Sequence, residues 1–158
     1  MPHRRPPPDL PVIGWREWVG LPELDVAKIK VKVDTGARSS AIHAFSPERR
    51  RRGGRDLVRF TLHPLQRRSD PVIEAEAELL DVRHVRSSMG QLEQRFVILT
   101  TLSLLGSTWP IELTLARRDH MGFRMLLGRE AIRDRFLVDP SGSFYDRAHR
   151  PRRKRSRP

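Results

Sequence analysis

The carboxylate of Asp34 is the side chain in this sequence best placed for acid-base chemistry. Asp34 directly follows residues 29–33, an alternating segment that predicts a strand, and Thr35, Gly36 and Ala37 come next. Glycine favours a tight turn because it has no Cβ atom. A carboxylate on such a turn can exchange a proton with water or with a substrate. The tetrapeptide alone fits an ordinary turn capped by Asp34 better than a catalytic site, so a second motif is needed.

That second motif lies much further along the chain. Leu126 and Leu127 are followed by Gly128, and residues 129–135 then show a pattern that predicts a helix of about two turns. Glycine at this junction allows another backbone segment to approach closely. The two motifs together are far more specific than either alone, and they favour a catalytic role for Asp34.

Length and composition exclude several classes of protein. A chain of 158 residues suits one domain, and the absence of cysteine excludes a disulfide framework, a thiolate zinc site and a cysteine nucleophile. No apolar run approaches the roughly 20 residues of a membrane span, and the first residues lack the apolar core of a secretory signal. We therefore expect a soluble, cytoplasmic protein with no membrane association.

The net charge of +12 is concentrated in particular segments. Residues 147–158 contain seven basic side chains and no acidic one, which predicts a disordered basic tail. We expect a disordered N-terminal arm over residues 1–9 and a single, only mildly basic domain over residues 10–146. A second basic cluster, residues 49–55, contains paired glycines and is predicted to be a solvated loop.

Short apolar stretches separated by turn residues predict a β-rich domain with one convincing helix. Strands are predicted at residues 57–63, 72–79 and 109–115, with extended chain at residues 136–140 that ends in a turn at 141–142. Residues 82–101 are predicted to form a hairpin, and its tip consists of Ser87, Ser88, Met89 and Gly90.

The order of these parts resembles that of the retropepsin-like aspartic peptidases. Four longer stretches are similar to the bacterial RimB-like retropepsin family, whose members are also labelled ATP-dependent zinc proteases: residues 14–24, 33–44, 109–114 and 121–129. The resemblance covers residues 10–146. It implies an all-β fold, namely a retropepsin-like closed acid-protease β-barrel with one short helix near the C-terminus.

The same resemblance implies an aspartic endopeptidase with Asp34 as the catalytic residue. Two carboxylates that share one proton can activate water and protonate the substrate, as in aspartic proteases. Since the chain has one Asp-Thr-Gly motif, the second carboxylate is expected from a second copy, with the two Asp34 residues facing each other across a twofold axis. Support of the catalytic loop is expected from Thr35, Gly36, Ala37, Leu126, Leu127 and Gly128.

The resemblance also implies a flap and a substrate class. The hairpin tip, with Ser87, Ser88, Met89 and Gly90, stands where retropepsins carry the flap that closes over an extended peptide. Members of the family are associated with RimK-like ATP-grasp ligases that add glutamates to protein tails. The expected substrate is therefore a peptide or protein, including glutamylated ones, and a functional link to such a ligase is expected.

The zinc label finds no support in the sequence. None of the six histidines stands in a His-Glu-x-x-His arrangement, and His43 is interpreted as a packed or surface histidine rather than a ligand. No glycine-rich loop ending in Lys and Ser or Thr is present to bind nucleotide phosphates. We expect neither a metal nor another cofactor, and any ATP dependence should belong to a partner ligase.

An alternative interpretation is a non-catalytic module with a retropepsin fold. It would bind acidic peptides, or RNA or the ribosome, through the basic loop 49–55 and the tail 147–158, and nucleic acid would be engaged only through such basic segments. Arginines near the proposed site in the sequence could pair with substrate carboxylates or be ordinary surface charges. These are Arg38, Arg83, Arg86, Arg95, Arg124 and Arg129.

Overall fold

The computed structural model describes residues 9–65, 72–86, 89–117 and 122–149. It contains ten strands, one short 3₁₀ turn at Pro22–Leu24, and the helix α1 at Arg129–Ile132. The strands are β1 (Val12–Leu21), β2 (Val26–Asp34), β3 (Ser40–His43), β4 (Phe45–Arg52), β5 (Arg55–Leu62), β6 (Ile73–Arg86), β7 (Leu92–Leu104), β8 (Ser107–Ala116), β9 (Met125–Gly128) and β10 (Leu137–Ser143).

All ten strands belong to one sheet in the order β10-β1-β2-β9-β3-β8-β7-β6-β5-β4. Gly20 in β1 also pairs with Ser103 in β7. This pairing closes a barrel of six strands in the order β1-β2-β9-β3-β8-β7. Strands β6, β5 and β4 continue beyond the closure as antiparallel neighbours. The predicted all-β closed barrel with one short helix is confirmed.

The core follows from residues that alternate along the strands. Ile29, Val31 and Val33 of β2 point into the barrel, while Lys30 and Lys32 between them are more exposed. A strand places successive side chains on opposite faces, so this pattern fixes which face of β2 is buried. Burial of each such side chain stabilises the fold by about 1.5–3 kcal/mol.

Strand β9 lies between two strands that follow each other in the chain. Strands β2 and β3 are joined by residues 35–39 but do not pair with each other. Instead, β9 runs parallel to β2 and antiparallel to β3. This insertion brings Gly128, at the end of β9, into register with Asp34, at the end of β2.

The basic run is a strand rather than the predicted loop. Residues 49–52 belong to β4, and Gly53 and Gly54 form the turn to β5 with φ angles of +56° and +78°. Acidic partners across the hairpin accommodate the arginines: Asp56 forms ion pairs with both Arg49 and Arg51, at 3.5 and 3.8 Å. The turn at the paired glycines is present, but the prediction of a loop over residues 49–52 is wrong.

Other element boundaries also differ from the prediction, and the predicted turn at residues 141–142 lies within β10. Strand β6 is continuous from Ile73 to Arg86, with a shift of register between Leu79 and Asp81, where the sequence predicts two separate strands. The helix has one turn rather than two, because the chain reverses at Asp134, whose φ is +62°. The reversal returns Phe136 to the core, where its ring packs 5.6 Å from that of Trp109.

The chain after β10 is fastened to β1 by a buried carboxylate. Glu17 is fully buried, and its Oε2 accepts hydrogen bonds from the amides of Gly14 and Tyr145 at 2.8 and 3.0 Å. Its Oε1 accepts another from the amide of Asp146 at 3.0 Å. A buried carboxylate is tolerated when such donors replace water, so Glu17 holds the two segments together.

Asp146 continues this attachment. Its Oδ2 accepts a hydrogen bond from the amide of Leu105 at 2.6 Å and lies 3.0 Å from Nδ1 of His149, while its Oδ1 accepts one from the amide of Ala148. Burial raises the pKa of Asp146, but the amides of Leu105 and Ala148 and the imidazole of His149 together outweigh it, so the net shift of the pKa is downward. The last described residues are thus held against the barrel.

Candidate active site around Asp34

Asp34 ends β2 and opens a tight turn, and we term residues 34–39 the Asp34 loop. The turn is closed by a hydrogen bond from the amide of Ala37 to the carbonyl of Asp34 at 3.1 Å. The amide of Gly36 donates to Oδ1 of the Asp34 side chain, also at 3.1 Å. Asp34 is half-buried and Thr35 is exposed. The backbone of the loop therefore holds the carboxyl group of Asp34 through one of its two oxygens.

The start of α1 fixes the far side of the Asp34 loop. The amide of Arg129 donates to the carbonyl of Ala37 at 2.8 Å, and the amide of Glu130 donates to that of Arg38 at 3.2 Å. The Arg129 side chain adds a hydrogen bond from Nη1 to the carbonyl of Gly36 at 3.1 Å. Three donors from the helix start thus hold three successive carbonyls of the loop.

Gly128 allows the contact between the two motifs. A Cβ atom at this position would lie 2.5 Å from both the carbonyl carbon and the carbonyl oxygen of Ser39, closer than real Cβ contacts. The amide of Gly128 donates to Oγ of Ser40 at 3.0 Å in a buried position. Any other residue at position 128 would push the Asp34 loop away, which is why the sequence has glycine there.

The remaining predicted support residues divide between the two faces of β9. Leu127 is fully buried in the core, and Leu126 is half-buried on the opposite face, in register with Lys32 of β2 and Ala41 of β3. Ala37 is half-buried within the Asp34 loop. Leu127 is therefore a core residue in register with Val33 of β2, while Leu126 lies on the other face of the same strand, and support of the loop by either leucine stays a prediction.

The predicted hairpin is present. Strands β6 and β7 pair antiparallel out to Arg86 and Leu92, and Gly90 in the connection has a φ of +79°. Met89 and Gly90 are exposed. The other two predicted flap residues, Ser87 and Ser88, lie outside the described residues. Flap duty for this hairpin stays a prediction.

A cleft of about 580 Å³ lies beside the Asp34 loop. Its walls come from the outer half of that loop and the start of β3, residues 38–40, from residues 109–112 of β8, and from α1 and the turn after it. Arg83 of β6 completes the lining, together with Arg133 and Arg135 of that turn. We term this feature the arginine cleft. Asp34 itself is not part of its lining, so the cleft adjoins the outer half of the loop and does not contain the carboxylate.

Among the arginines named from the sequence, two line the cleft and four do not. Arg38 and Arg83 line it, and Arg129 supports the Asp34 loop instead. The others lie elsewhere: Arg86 on β6, Arg95 beside Glu93 on β7, and Arg124 just before β9. Sequence reasoning missed Arg133 and Arg135, because a two-turn helix would have carried them away from the loop. The signal that could have revealed them is Phe136, whose burial requires the chain to turn back.

The part of the chain that the structure describes offers no support for the zinc label. Within residues 9–65, 72–86, 89–117 and 122–149, no group of three or more His, Asp or Glu side chains could hold a metal ion. His43 is buried in β3, with its ring 4.4 Å from that of Phe45. Among the same residues, no helix has the length and apolar character of a transmembrane span.

Solved structures include one that is similar to this chain over most of its length. The crystal structure of a Legionella pneumophila protein of unknown function superposes with a TM-score of 0.71 and 26% sequence identity. The match covers 85% of this chain and 97% of the Legionella chain. The barrel described above therefore occurs in a protein that has been crystallised and that has no assigned activity.

Curated relatives are longer proteins that are named for a ligase activity. A protein of Shewanella halifaxensis (strain HAW-EB4), called a probable alpha-L-glutamate ligase, is 47% identical over 133 residues, or 84% of this chain. A protein of Parasynechococcus marenigrum (strain WH8102) with the same name is 47% identical over 132 residues. This chain spans only 29% and 28% of the length of these two relatives.

A family model covers nearly the whole described chain. The model, described as the RimB-like family, "Retropepsin-like aspartic endopeptidase RimB", matches residues 12–149. That range includes the Asp34 loop, the β6–β7 hairpin, Gly128 and the attachment at Asp146. With its closed barrel and its strand-end carboxylate, the chain belongs to the RimB-like family of retropepsin-like proteins.

Proposed function

We propose that this protein is an aspartic endopeptidase that hydrolyses peptide bonds with a pair of Asp34 carboxylates contributed by two copies of the chain. The observation that carries the proposal is the fixed, half-buried carboxylate of Asp34, held by the amide of Gly36 in a loop that Gly128 supports. Such rigidity is what a general acid or base requires, because proton transfer depends on a well-placed group.

The chemistry needs both carboxylates in different protonation states. The ionised Asp34 takes a proton from water, whose oxygen attacks the peptide carbonyl carbon, while the protonated Asp34 gives its proton to the carbonyl oxygen. The resulting tetrahedral intermediate then loses its C–N bond, and a proton passes to the leaving nitrogen. Water is consumed, and the products are a carboxylic acid and an amine.

A homodimer is proposed because the sequence contains one Asp-Thr-Gly motif. Two such loops can meet only across an axis that relates two chains. Thr35 is exposed next to Asp34, and its hydroxyl group can donate and accept hydrogen bonds. We assign to it the bracing of the two Asp34 loops against each other.

Glutamate-tailed proteins are the proposed substrate class. The longer relatives are named probable alpha-L-glutamate ligases, and this chain resembles only 29% of one of them. We assign the ligase activity in that name to the remainder of the relative. A peptidase joined to a glutamate ligase, or working beside one, would act on the ligase product, and a RimK-like ATP-grasp ligase is the proposed functional partner of this chain.

The proposal is tested by cleavage of an oligo-glutamate-tailed peptide, followed by mass spectrometry. Wild type should release fragments, and Asp34→Asn should lower the rate by about 10²–10⁴-fold, the usual contribution of general acid-base catalysis. Equal rates in the two proteins would exclude the aspartic mechanism. Addition of EDTA should leave the wild-type rate unchanged, and loss of activity would point to a metal-dependent mechanism instead.

The alternative of RNA binding through residues 49–55 has weaker support. Arg49 and Arg51 both pair with Asp56, and Arg52 lies 3.5 Å from Glu76. These acids offset much of the positive charge that a phosphate backbone would need. The charges also lie on β4, the edge strand of the sheet, where they protect against pairing with other chains.

A further inference from the structure

The arginine cleft has an excess of positive charge beside the Asp34 loop. Its lining includes four arginines and two glutamates. The arginines come from separate parts of the fold: the Asp34 loop, β6, and two positions around the turn after α1. Long-range folding, rather than a local run of basic residues, therefore concentrates these charges.

Two of the four arginines already have acidic partners. Arg133 lies 2.9 Å from Glu130, and Arg83 lies 3.2 Å from Asp81 and 4.0 Å from Glu112. These pairs reduce the charge that Arg83 and Arg133 offer to a ligand. They also account for both glutamates of the lining, which contribute to its polar character without making it acidic.

The other two arginines form no ion pair with any residue that the structure describes. Arg38 is exposed, and its backbone is fixed by the hydrogen bond that its carbonyl accepts from Glu130. Arg135 is also exposed, and its guanidinium carbon lies 4.7 Å from the centroid of the Trp109 ring. Both cations are thus open to a carboxylate ligand, and a guanidinium can bind a carboxylate through two parallel hydrogen bonds.

Trp109 holds Arg135 in position. The indole ring is buried, and its Nε1 donates a hydrogen bond to the carbonyl of Ala131 at 3.0 Å. A ring fixed in this way provides a rigid surface for the guanidinium, so less side-chain entropy is lost when Arg135 binds a ligand.

The cleft shares Arg38 and Ser39 with the Asp34 loop, so a substrate held at that loop has the cleft as a neighbouring surface. Arg38 follows Asp34 by four positions, in a loop held by three hydrogen bonds from the start of α1. Arg83 lies on β6, the first arm of the hairpin proposed as the flap. An extended peptide advances about 3.3 Å per residue and alternates its side chains, so residues near the scissile bond can direct every second side chain into a neighbouring cleft.

We infer that the arginine cleft is the subsite that binds glutamate side chains next to the scissile bond, with Arg38 and Arg135 as the specificity-determining residues. This inference takes its substrate from the proposed function, but it does not depend on the bond being cut. Carboxylate binding in the cleft would explain how a peptidase recognises a repetitive acidic tail that lacks large apolar side chains.

Binding is measured separately from catalysis by using the Asp34→Asn protein. Calorimetric titration with an oligo-glutamate peptide should show binding that falls by about tenfold or more when Arg38→Gln and Arg135→Gln are added, since hydrogen bonds to charged groups are the stronger ones. An oligo-glutamine peptide of the same length should bind weakly to both proteins. The matched control is Arg49→Gln with Arg50→Gln, which removes the same charge from β4 and should leave binding nearly unchanged.

Two results would overturn the inference. One is unchanged binding after both cleft substitutions, in a protein whose thermal melting shows that it is folded. The other is an equal loss in the β4 control, which would mean that net charge rather than the cleft attracts the peptide. Arg38→Lys with Arg135→Lys should retain part of the affinity if the cleft acts through charge, and this variant serves where the glutamine variant does not fold.

Hydrolysis by the Asp34-containing protein gives the second readout. Substitution of Arg38 and Arg135 should raise KM for the oligo-glutamate substrate with little change in kcat, as expected when binding outside the reacting centre is lost. If wild type fails to cleave but cleft-dependent binding persists, the proposed peptidase activity fails and the subsite stands. If cleavage requires Asp34 but ignores the cleft substitutions, the activity stands and the subsite fails.

Discussion

Gly128 is the residue at which the smallest change should have the largest structural effect. Gly128→Ala would place a methyl group 2.5 Å from the backbone of Ser39, and neither backbone can move without disturbing the pairing of β9. We expect a loss of about 1–3 kcal/mol in the free energy of unfolding, as for other overpacked sites. Chemical denaturation measures this loss. Gly122→Ala is the control, since a Cβ there meets no atom of the described residues within 4 Å.

Arg129 should matter for activity more than for stability. Its exposed side chain donates a hydrogen bond to the carbonyl of Gly36, two residues after Asp34, the proposed catalytic acid. Arg129→Gln should lower kcat by about tenfold or more through misplacement of the Asp34 loop, with a small change in melting temperature. Steady-state kinetics of this variant tests the prediction, with Arg50→Gln as the control because Arg50 pairs with Glu48 on β4. A kcat equal to that of wild type would show that the backbone bonds position the loop without the side chain.

At the residue scale, positions with unusual backbone requirements can be identified from the sequence. The sequence motifs that contain Asp34 and Gly128 are sufficient to predict that the two residues belong to one site, and the structure places them in register. Arg135 could not be identified, because its position depends on the chain reversal at Asp134 and on a ring contributed by β8. Contacts between distant segments leave no local pattern, whereas a required glycine does.

The attachment of Tyr145 and Asp146 to β1 depends on Glu17. Glu17→Gln replaces one acceptor oxygen by an NH₂ group that faces backbone N–H donors, so at least one buried amide loses its partner. The free energy of unfolding should fall by about 1–3 kcal/mol. Thermal melting should show this as a decrease of several degrees. Glu93→Gln, an exposed change of the same kind, should have almost no effect, and equal melting of the two variants would contradict the role of Glu17.

Asp146 should make the free energy of unfolding depend on pH in the acid range. Burial raises the pKa of Asp146, but the hydrogen bonds from Leu105, His149 and Ala148 together outweigh it, so its pKa is lower in the folded than in the unfolded protein. The resulting stabilisation is present above about pH 4, the unfolded pKa, and is lost as pH falls through the lower folded value. Asp146→Asn should therefore be less stable than wild type at neutral pH, with a difference that narrows under acid conditions. Denaturation at a series of pH values measures it, and a difference independent of pH would contradict the assignment.

Elements with a strong local signal can be predicted, and those governed by distant partners cannot. The β6–β7 hairpin has apolar arms and a glycine at its tip, and it is present. The arginines of β4 give no strand signal, because the pairing depends on Asp56 and Glu76 of neighbouring strands. The insertion of β9 between β2 and β3 is likewise a long-range arrangement that the local pattern of residues 125–128 does not encode.

For the whole molecule, the decisive property is the number of chains in the active site. Each chain has one Asp34 loop, and Thr35 is exposed beside the carboxylate. A fold with a single such loop can build a site from two Asp34 carboxylates only by symmetric pairing. Activity should accordingly decline on dilution, as the dimer dissociates, and sedimentation at the same concentrations should show the dimer fraction falling in parallel.

Mixing of two proteins tests this claim most directly. Wild type and Asp34→Asn are combined in varying ratios at constant total concentration, given time to exchange chains, and assayed on an oligo-glutamate-tailed peptide. If both carboxylates are required, a mixed dimer is inactive, and an equal mixture should retain about a quarter of the wild-type rate. An active site formed within one chain predicts about half the wild-type rate instead. A linear decline with the wild-type fraction would contradict the shared site, and a quadratic decline is the result that we predict.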